Sequence, residues 1–235
     1  MKLLALDTST NACSAALLID GEIIERFEMT PKAHTKLLLP MIASLLSEAG
    51  LALNAFDALA FGCGPGSFTG LRIATGVVQG LAFGADLPVV PVSTLAALAQ
   101  QCEAAPLTFV AMDARIGEVF WGVYEKNTQG IVERIGEEVV APVDELIFPC
   151  RQAVGIGSGW GVYEKALRAH TQGVVQAIYH DVLPKASAIA TLGALGFVQG
   201  KGVCAEDAQP VYLRDKVAQT EIERKNAKIN GENKH

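Results

Sequence analysis

The sequence has few of the residues that usually bind metal ions, and those it has are dispersed. Its four histidines and five cysteines include no C-x-x-C pair and no H-x-x-x-H pair. Zinc sites and redox dithiols depend on such closely spaced ligands, so the sequence predicts no metal site. An odd number of scattered cysteines also argues against a disulfide framework and favours reduced thiols.

Long apolar runs and clusters of positive charge are absent as well. No run of about 18 apolar residues occurs, so we expect no transmembrane helix and no membrane partner. The apolar run near the start stops at Asp7, too short for a signal peptide. The formal net charge is −6, whereas a protein that binds nucleic acid by itself normally carries a basic stripe. We therefore expect a cytoplasmic protein that does not bind nucleic acid tightly on its own.

The glycine-rich segment GCGPGSFTGLRIATGVVQGLAF, residues 62–83, matches neither of the common phosphate-binding motifs. It has no lysine where a P-loop requires one, and Ser67 stands where the dinucleotide motif needs its third glycine. Ser67 also fails as the nucleophile of a G-x-S-x-G motif, because residue 69 is threonine. The sequence favours Ser67 or Thr69 as the N-cap of a helix. A phosphate site here is the minority hypothesis.

The order of predicted elements repeats once along the chain. The first copy has a strand ending at residue 7, strands over 13–19 and 22–28 joined by an Asp-Gly turn, a helix over 34–49, a strand over 57–62, a helix over 68–84, a strand over 87–92 and a helix from 93. The second copy has strands ending at 113, over 119–124 and from 131, a strand over 153–156, a helix near 160–170, a strand near 174–178 and a helix over 185–199.

Two β-β-β-α-β-α units predict an α/β protein with paired domains and a cleft between them. This is the duplicated plan of the actin, hexokinase and Hsp70 (ASKHA) superfamily. We place the first domain at residues 1–105 and the second at 106–214, with the option that the last helix of the second packs back on the first. Residues 215–235 are polar with mixed charges and predict a disordered tail.

That plan supplies a candidate nucleotide site, because its first strand ends in an aspartate beside ATP phosphates and Mg²⁺. Asp7 would hold Mg²⁺ through water, and Thr8 and Ser9 would donate hydrogen bonds to phosphate. Alternatively, these side chains cap a turn by bonding to the backbone. The second phosphate loop carries Arg115 and Ile116 where a kinase of this fold has glycine and a hydroxyl residue. We predict no catalytic residue and no cofactor, with residual binding of ATP or ADP left open.

Four segments resemble the TsaB (YeaZ) family: ALDTST near the start, GPGSFTGLRIATGVVQGLAF, VPVSTLAALA after it, and the closing QPVYLR. The resemblance implies a bacterial protein needed to make N6-threonylcarbamoyladenosine in tRNAs that read codons starting with A. It also implies a non-catalytic paralogue of TsaD, the subunit that transfers the threonylcarbamoyl group from its adenylate to adenosine 37. Where TsaD has a metal-binding histidine pair, this chain has Thr94 and Leu98.

The partners that the resemblance implies are a TsaD-type paralogue, a TsaE-type P-loop ATPase and a second copy of the chain, with tRNA only through the complex. Family members pair through the helices equivalent to 34–49 and 68–84, and one surface serves both the homodimer and TsaD. ATP or ADP bound at that interface is also left open. The resemblance therefore implies an interface formed by His34, Leu37, Leu38, Met41, Leu45, Thr69, Arg72, Ile73, Gly76, Val77 and Gly80.

The glycines within the predicted helix 68–84 have two competing explanations. Gly76, Gly80 and Gly84 share one helical face, and each destabilises a helix by about 1 kcal/mol relative to alanine. They would permit close approach either of a partner helix or of the chain's own sheet, and the residues alone favour neither. The resemblance favours the partner.

Two other functions stay open beside the accessory role. A small-molecule kinase of the same superfold is supported by Asp7 and opposed by the residues of the second loop. A metalloprotease is opposed by the missing histidine pair.

Overall fold

In a computed structural model that describes residues 1–103, 107–171 and 173–214, the chain forms two five-stranded sheets. The first sheet has the order β3-β2-β1-β4-β5, with β1 Lys2–Asp7, β2 Ala12–Ile19, β3 Glu22–Met29, β4 Ala58–Gly64 and β5 Val89–Ser93. The second has the order β8-β7-β6-β9-β10, with β6 Leu107–Arg115, β7 Glu118–Lys126, β8 Val132–Pro142, β9 Ala153–Ile156 and β10 Val175–Tyr179. This repeated order confirms the duplicated α/β fold. The predicted tail at 215–235 lies outside the described residues.

Composition and turn chemistry explain where the strands lie. β1 and β4 are buried along almost their whole length, as strands at the centre of a sheet covered on both faces must be. β3, which is rich in glutamate, lies at the sheet edge. Asp20 and Gly21 turn the chain between β2 and β3 with φ angles of 51° and 99°, which confirms the predicted Asp-Gly hairpin.

Six α-helices lie in the described part of the chain: α1 His34–Ala49, α2 Phe68–Ala85, α3 Thr94–Gln100, α4 Ser158–Val162, α5 Glu164–Thr171 and α6 Ala186–Val198. Of the two predicted N-cap residues, Ser67 is the N-cap of α2, and its side chain accepts a hydrogen bond from the Gly70 amide at 3.3 Å. The single helix predicted near 160–170 is wrong. Tyr163 leaves the helical conformation, with φ −117° and ψ 25°, and so separates α4 from α5.

The outer layer of the first sheet consists of α1 and α2. Both helices pack their apolar faces on the side chains of β1, β2 and β4. The buried apolar side chains of the two helices are Leu38, Ile42 and Leu45 of α1 and Leu71, Ala74, Val78 and Ala82 of α2. The opposite faces of α1 and α2 therefore form one outer surface of the protein.

Two helices lie between the sheets, and each packs on the half of the molecule from which it does not come. Ile189 and Ala190 of α6 join the core beneath β1, and a Cβ at Gly193 would lie only 2.6 Å from the Cβ of Ala60 in β4. Conversely, Leu95 and Leu98 of α3 pack with β6 and β7 of the second sheet. This exchange joins the two halves through a shared apolar layer.

No helix in the described ranges is both long enough and apolar enough to cross a lipid bilayer.

Candidate functional site

The segment Asp7–Thr8–Ser9, predicted as a residual nucleotide site, lies at the end of β1. All three residues are buried. Thr8 Oγ1 donates to the Gly70 carbonyl at 2.7 Å. The Asp7 Oδ1 atom accepts from the Ser9 amide at 3.1 Å and from Ser9 Oγ at 2.9 Å. The Asp7 carboxylate thus caps the turn at Ser9, as the capping alternative expects, whereas Thr8 bonds to the start of α2.

The Asp7 carboxylate lacks a compensating positive charge. Its Oδ2 atom is buried without a hydrogen-bond partner. Burial raises the pKa of Asp7 to about 7, and the two hydrogen bonds from Ser9, which lower the pKa, offset burial only in part. The group therefore changes charge close to neutral pH inside the folded protein.

The first glycines of the segment 62–83 explain how Asp7–Ser9 becomes enclosed. A Cβ at Gly62 would lie 2.0 Å from Asp7 Oδ2, and a Cβ at Gly66 would lie 2.5 Å from the Ser9 carbonyl oxygen. A Cβ at Gly70 would lie 1.9 Å from the Thr8 carbonyl oxygen. These glycines allow the end of β4, the loop after it and the start of α2 to lie directly on the end of β1. Their role is close packing within the chain.

A cleft of about 460 Å³ lies between the two halves, as the duplicated plan predicts. Its walls include Ser9, Thr10 and Ser67 from the first half and Asp113, Arg115 and Ser158 from the second. Asp7 does not line it, and its carboxylate faces Gly62 instead. In this arrangement the residues do not fit a Mg²⁺–nucleotide complex held through Asp7.

The sequence also singled out three other positions: Ile116 in the second phosphate loop, and Thr94 and Leu98 where TsaD is expected to have its histidine pair. Ile116 takes a left-handed turn conformation with φ 57°, and its side chain is 72% exposed. Thr94 and Leu98, at the positions of the histidine pair in TsaD, are buried in α3 between the sheets. Within residues 1–103, 107–171 and 173–214, no group of three histidine, cysteine, aspartate or glutamate side chains could hold a metal ion.

The later glycines of α2 differ from the earlier ones, because they face open space. A Cβ at Gly76, Gly80 or Gly84 would meet no atom within 4 Å. The face of α2 that contacts the sheet is formed by other residues. The hypothesis that these glycines let α2 lie close to its own sheet is therefore wrong, and their bare surface points outward.

Three residues proposed for the partner interface are unavailable to a partner. Leu38 and Leu45 are buried in the core beneath α1. His34 is buried at the start of α1, with Nε2 at 3.0 Å from the Thr10 carbonyl oxygen and 3.2 Å from that of Ala12. All three residues lie on the inner face of α1. The interface prediction must be corrected for these three positions.

The remaining predicted interface residues form what we call the α1–α2 face. Thr69, Arg72, Gly76 and Gly80 are exposed, and Leu37, Met41, Ile73 and Val77 are partly buried. The sequence-based prediction missed Phe83, which is 83% exposed. Phe83 follows Gly80 by three residues and extends the same helical stripe, so spacing could have identified it. Large exposed apolar side chains beside bare glycines are typical of an interaction surface.

Comparison with protein families supports the sequence resemblance. Residues 27–222 match the family model described as "TsaD: tRNA N6-adenosine threonylcarbamoyltransferase". The chain is 40% identical to the tRNA threonylcarbamoyladenosine biosynthesis protein TsaB of Escherichia coli, over 93% of this chain and 96% of that protein. It is 41% identical to the Haemophilus influenzae protein of the same name, over 92% of this chain and 95% of that protein.

Solved structures give the same result. The structure of YeaZ from Pseudomonas aeruginosa superposes with a TM-score of 0.84 at 46% identity, covering 90% of this chain and 99% of that one. A second Pseudomonas aeruginosa structure, described as an uncharacterized protein with similarity to peptidase YeaZ, superposes with a TM-score of 0.85 at 45% identity, covering 91% and 99%.

Proposed function

Because the chain belongs to the TsaB (YeaZ) family and has its role in the biosynthesis of threonylcarbamoyladenosine in tRNA, we propose that it acts there as a non-catalytic subunit. It binds a TsaD-type paralogue in the cytoplasm, and a TsaE-type ATPase joins the assembly. Transfer of the threonylcarbamoyl group to adenosine 37 takes place on the TsaD-type subunit, and tRNA reaches this chain only through the complex.

The observation that carries the proposal is the α1–α2 face. Gly76 and Gly80 leave a smooth helical surface with open space above it, flanked by the exposed ring of Phe83. Bare glycines permit two helices to approach closely, and an aromatic side chain beside them supplies apolar contact area. A partner helix pair would complete a four-helix contact here, burying roughly 1,600 Å² in total.

A second copy of the chain is proposed to use the same face. A two-fold symmetric contact places the same residues on both sides of the interface, so α1 and α2 of each copy would meet. The homodimer and the complex with the TsaD-type partner then exclude each other. Excess TsaD-type partner should therefore convert the homodimer into a 1:1 complex.

The non-catalytic role is supported by how the usual positions for chemistry are filled. Asp7 is enclosed away from the cleft, and Thr94 and Leu98 pack in the core. The proposal includes no cofactor held by this chain alone, and a nucleotide is expected only at the interface with a partner. A small-molecule kinase would instead have to use the 460 Å³ cleft.

Reconstitution tests this proposal. The chain alone should neither modify tRNA nor hydrolyse Mg-ATP, whereas adding it to TsaD-type and TsaE-type proteins with threonylcarbamoyl-adenylate should restore modified adenosine, measured by mass spectrometry of tRNA nucleosides. The matched control omits only this chain. Equal modification without it would contradict the accessory role. Mg-ATP hydrolysis by the isolated chain that Asp7→Ala abolishes would favour the kinase.

A further inference from the structure

The segment 208–214, which we call the C-terminal strap, runs beside α2 along the edge of the α1–α2 face. At one end, Ala208 is buried and its carbonyl oxygen accepts a hydrogen bond from Gln79 Nε2 at 3.0 Å. Further along, the Val211 amide donates to the Cys63 carbonyl oxygen at 2.7 Å. The strap is therefore fixed both to α2 and to the end of β4.

Three side chains join the strap to the first turns of α2, and we call them the clasp: Phe68, Arg72 and Tyr212. The Arg72 guanidinium lies 4.0 Å from the centre of the Phe68 ring, and the rings of Phe68 and Tyr212 are 5.5 Å apart. Arg72 Nε also donates to the Tyr212 hydroxyl at 3.4 Å. A cation over an aromatic ring is stabilised by the ring's electrons, so Arg72 is engaged inside its own chain.

The far end of the strap reaches the second half of the molecule. Arg214 forms an ion pair with Glu118 of β7. Phe68, Tyr212 and Arg214 also line the cleft between the halves. The clasp thus lies where α2, the cleft and the second sheet meet.

We infer that Arg72 is a positioning residue: it holds the strap against α2 and so shapes the edge of the α1–α2 face. This inference rests on the proposed function of that face. It gives Arg72 a role within its own chain in place of a direct contact with the partner. Because the guanidinium already stacks on Phe68 and bonds to Tyr212, the partner meets the ordered strap edge and not a free arginine.

A double-mutant cycle separates positioning from direct contact. Arg72→Ala, Tyr212→Ala and the double variant are compared for affinity toward the TsaD-type paralogue of the same organism and for hydrogen exchange at the Val211 amide. Each single change should weaken binding about tenfold and accelerate exchange at Val211. The double variant should bind no more weakly than the worse single variant, since both break one clasp. Arg168→Ala is the control, because Arg168 is a half-exposed helical arginine paired with Glu164 elsewhere in the chain.

Two results would overturn the inference. One is weaker binding by Arg72→Ala with unchanged exchange at Val211 and no effect of Tyr212→Ala. The other is a double variant whose loss equals the product of the single losses. If the wild-type chain does not bind the TsaD-type protein at all, the proposed function fails, but hydrogen exchange at Val211 in Arg72→Ala still decides whether the clasp orders the strap.

Discussion

Gly70→Ala should destabilise the protein by more than about 3 kcal/mol, enough to unfold a marginally stable domain. The added Cβ would lie 1.9 Å from the Thr8 carbonyl oxygen, a backbone atom that cannot rotate away. Relief requires α2 to move off the end of β1, which breaks the hydrogen bond from Thr8 Oγ1 to the Gly70 carbonyl. Urea denaturation monitored by circular dichroism measures the loss.

Gly76→Ala in the same helix is the matched control. A Cβ at Gly76 meets no atom within 4 Å, so only helix propensity changes, and the variant should gain about 0.5–1 kcal/mol. Opposite signs at the two positions would establish that the glycines serve two purposes. Equal effects would contradict the assignment of Gly70 to close packing.

Asp7→Asn should make the folded protein more stable at pH 8 and remove much of its pH dependence between pH 4 and 7. The carboxyl of Asp7 has a pKa of about 7 when folded, against 3.8 as its ordinary value. The folded state therefore binds this proton more tightly than the unfolded state does, and stability falls as pH rises from about 4 to 7 and then levels off. The difference corresponds to at most about 4 kcal/mol.

The measurement is the free energy of unfolding of both proteins at pH 5 and pH 8. Wild type should lose stability between the two values, and Asp7→Asn should lose less. Ser9→Ala gives a directional check, because it removes the Ser9 Oγ donor that lowers the Asp7 pKa, so the wild-type transition should move to higher pH. Parallel pH profiles for wild type and Asp7→Asn would show that Asp7 does not titrate in this range.

Local sequence patterns predicted most of the strands and helices, because their signals lie within a few residues. The Asp-Gly turn, the N-cap at Ser67 and the helix beginning at His34 depend on neighbouring residues only. The repeated order of the predicted elements was enough to predict the duplicated fold. The predicted helix near 160–170 failed, since its interruption at Tyr163 has no proline or other strong breaker to mark it.

The sequence patterns could not predict contacts between segments that are distant along the chain. Gly70 and Gly76 are the same residue type in one helix, yet only the approach of Thr8 to Gly70 separates their roles. In α1, consecutive leucines at 37–39 gave no indication of which one faces the core, and Leu38 proved to be buried. The contact between Arg72 and Tyr212 joins residues 140 positions apart, so no local pattern in the sequence could reveal it.

The most direct test of the central claim, that the α1–α2 face docks a partner, is Gly76→Leu. Sedimentation and binding to the TsaD-type protein should show association weakened by about tenfold or more, since overpacking of a close contact costs about 1–3 kcal/mol. The melting temperature of the monomer should not fall, because the side chain points into open space, and tRNA modification should decline in step with affinity. A lower melting temperature with unchanged affinity per folded molecule would contradict the claim, as would lost nucleotide binding with association intact.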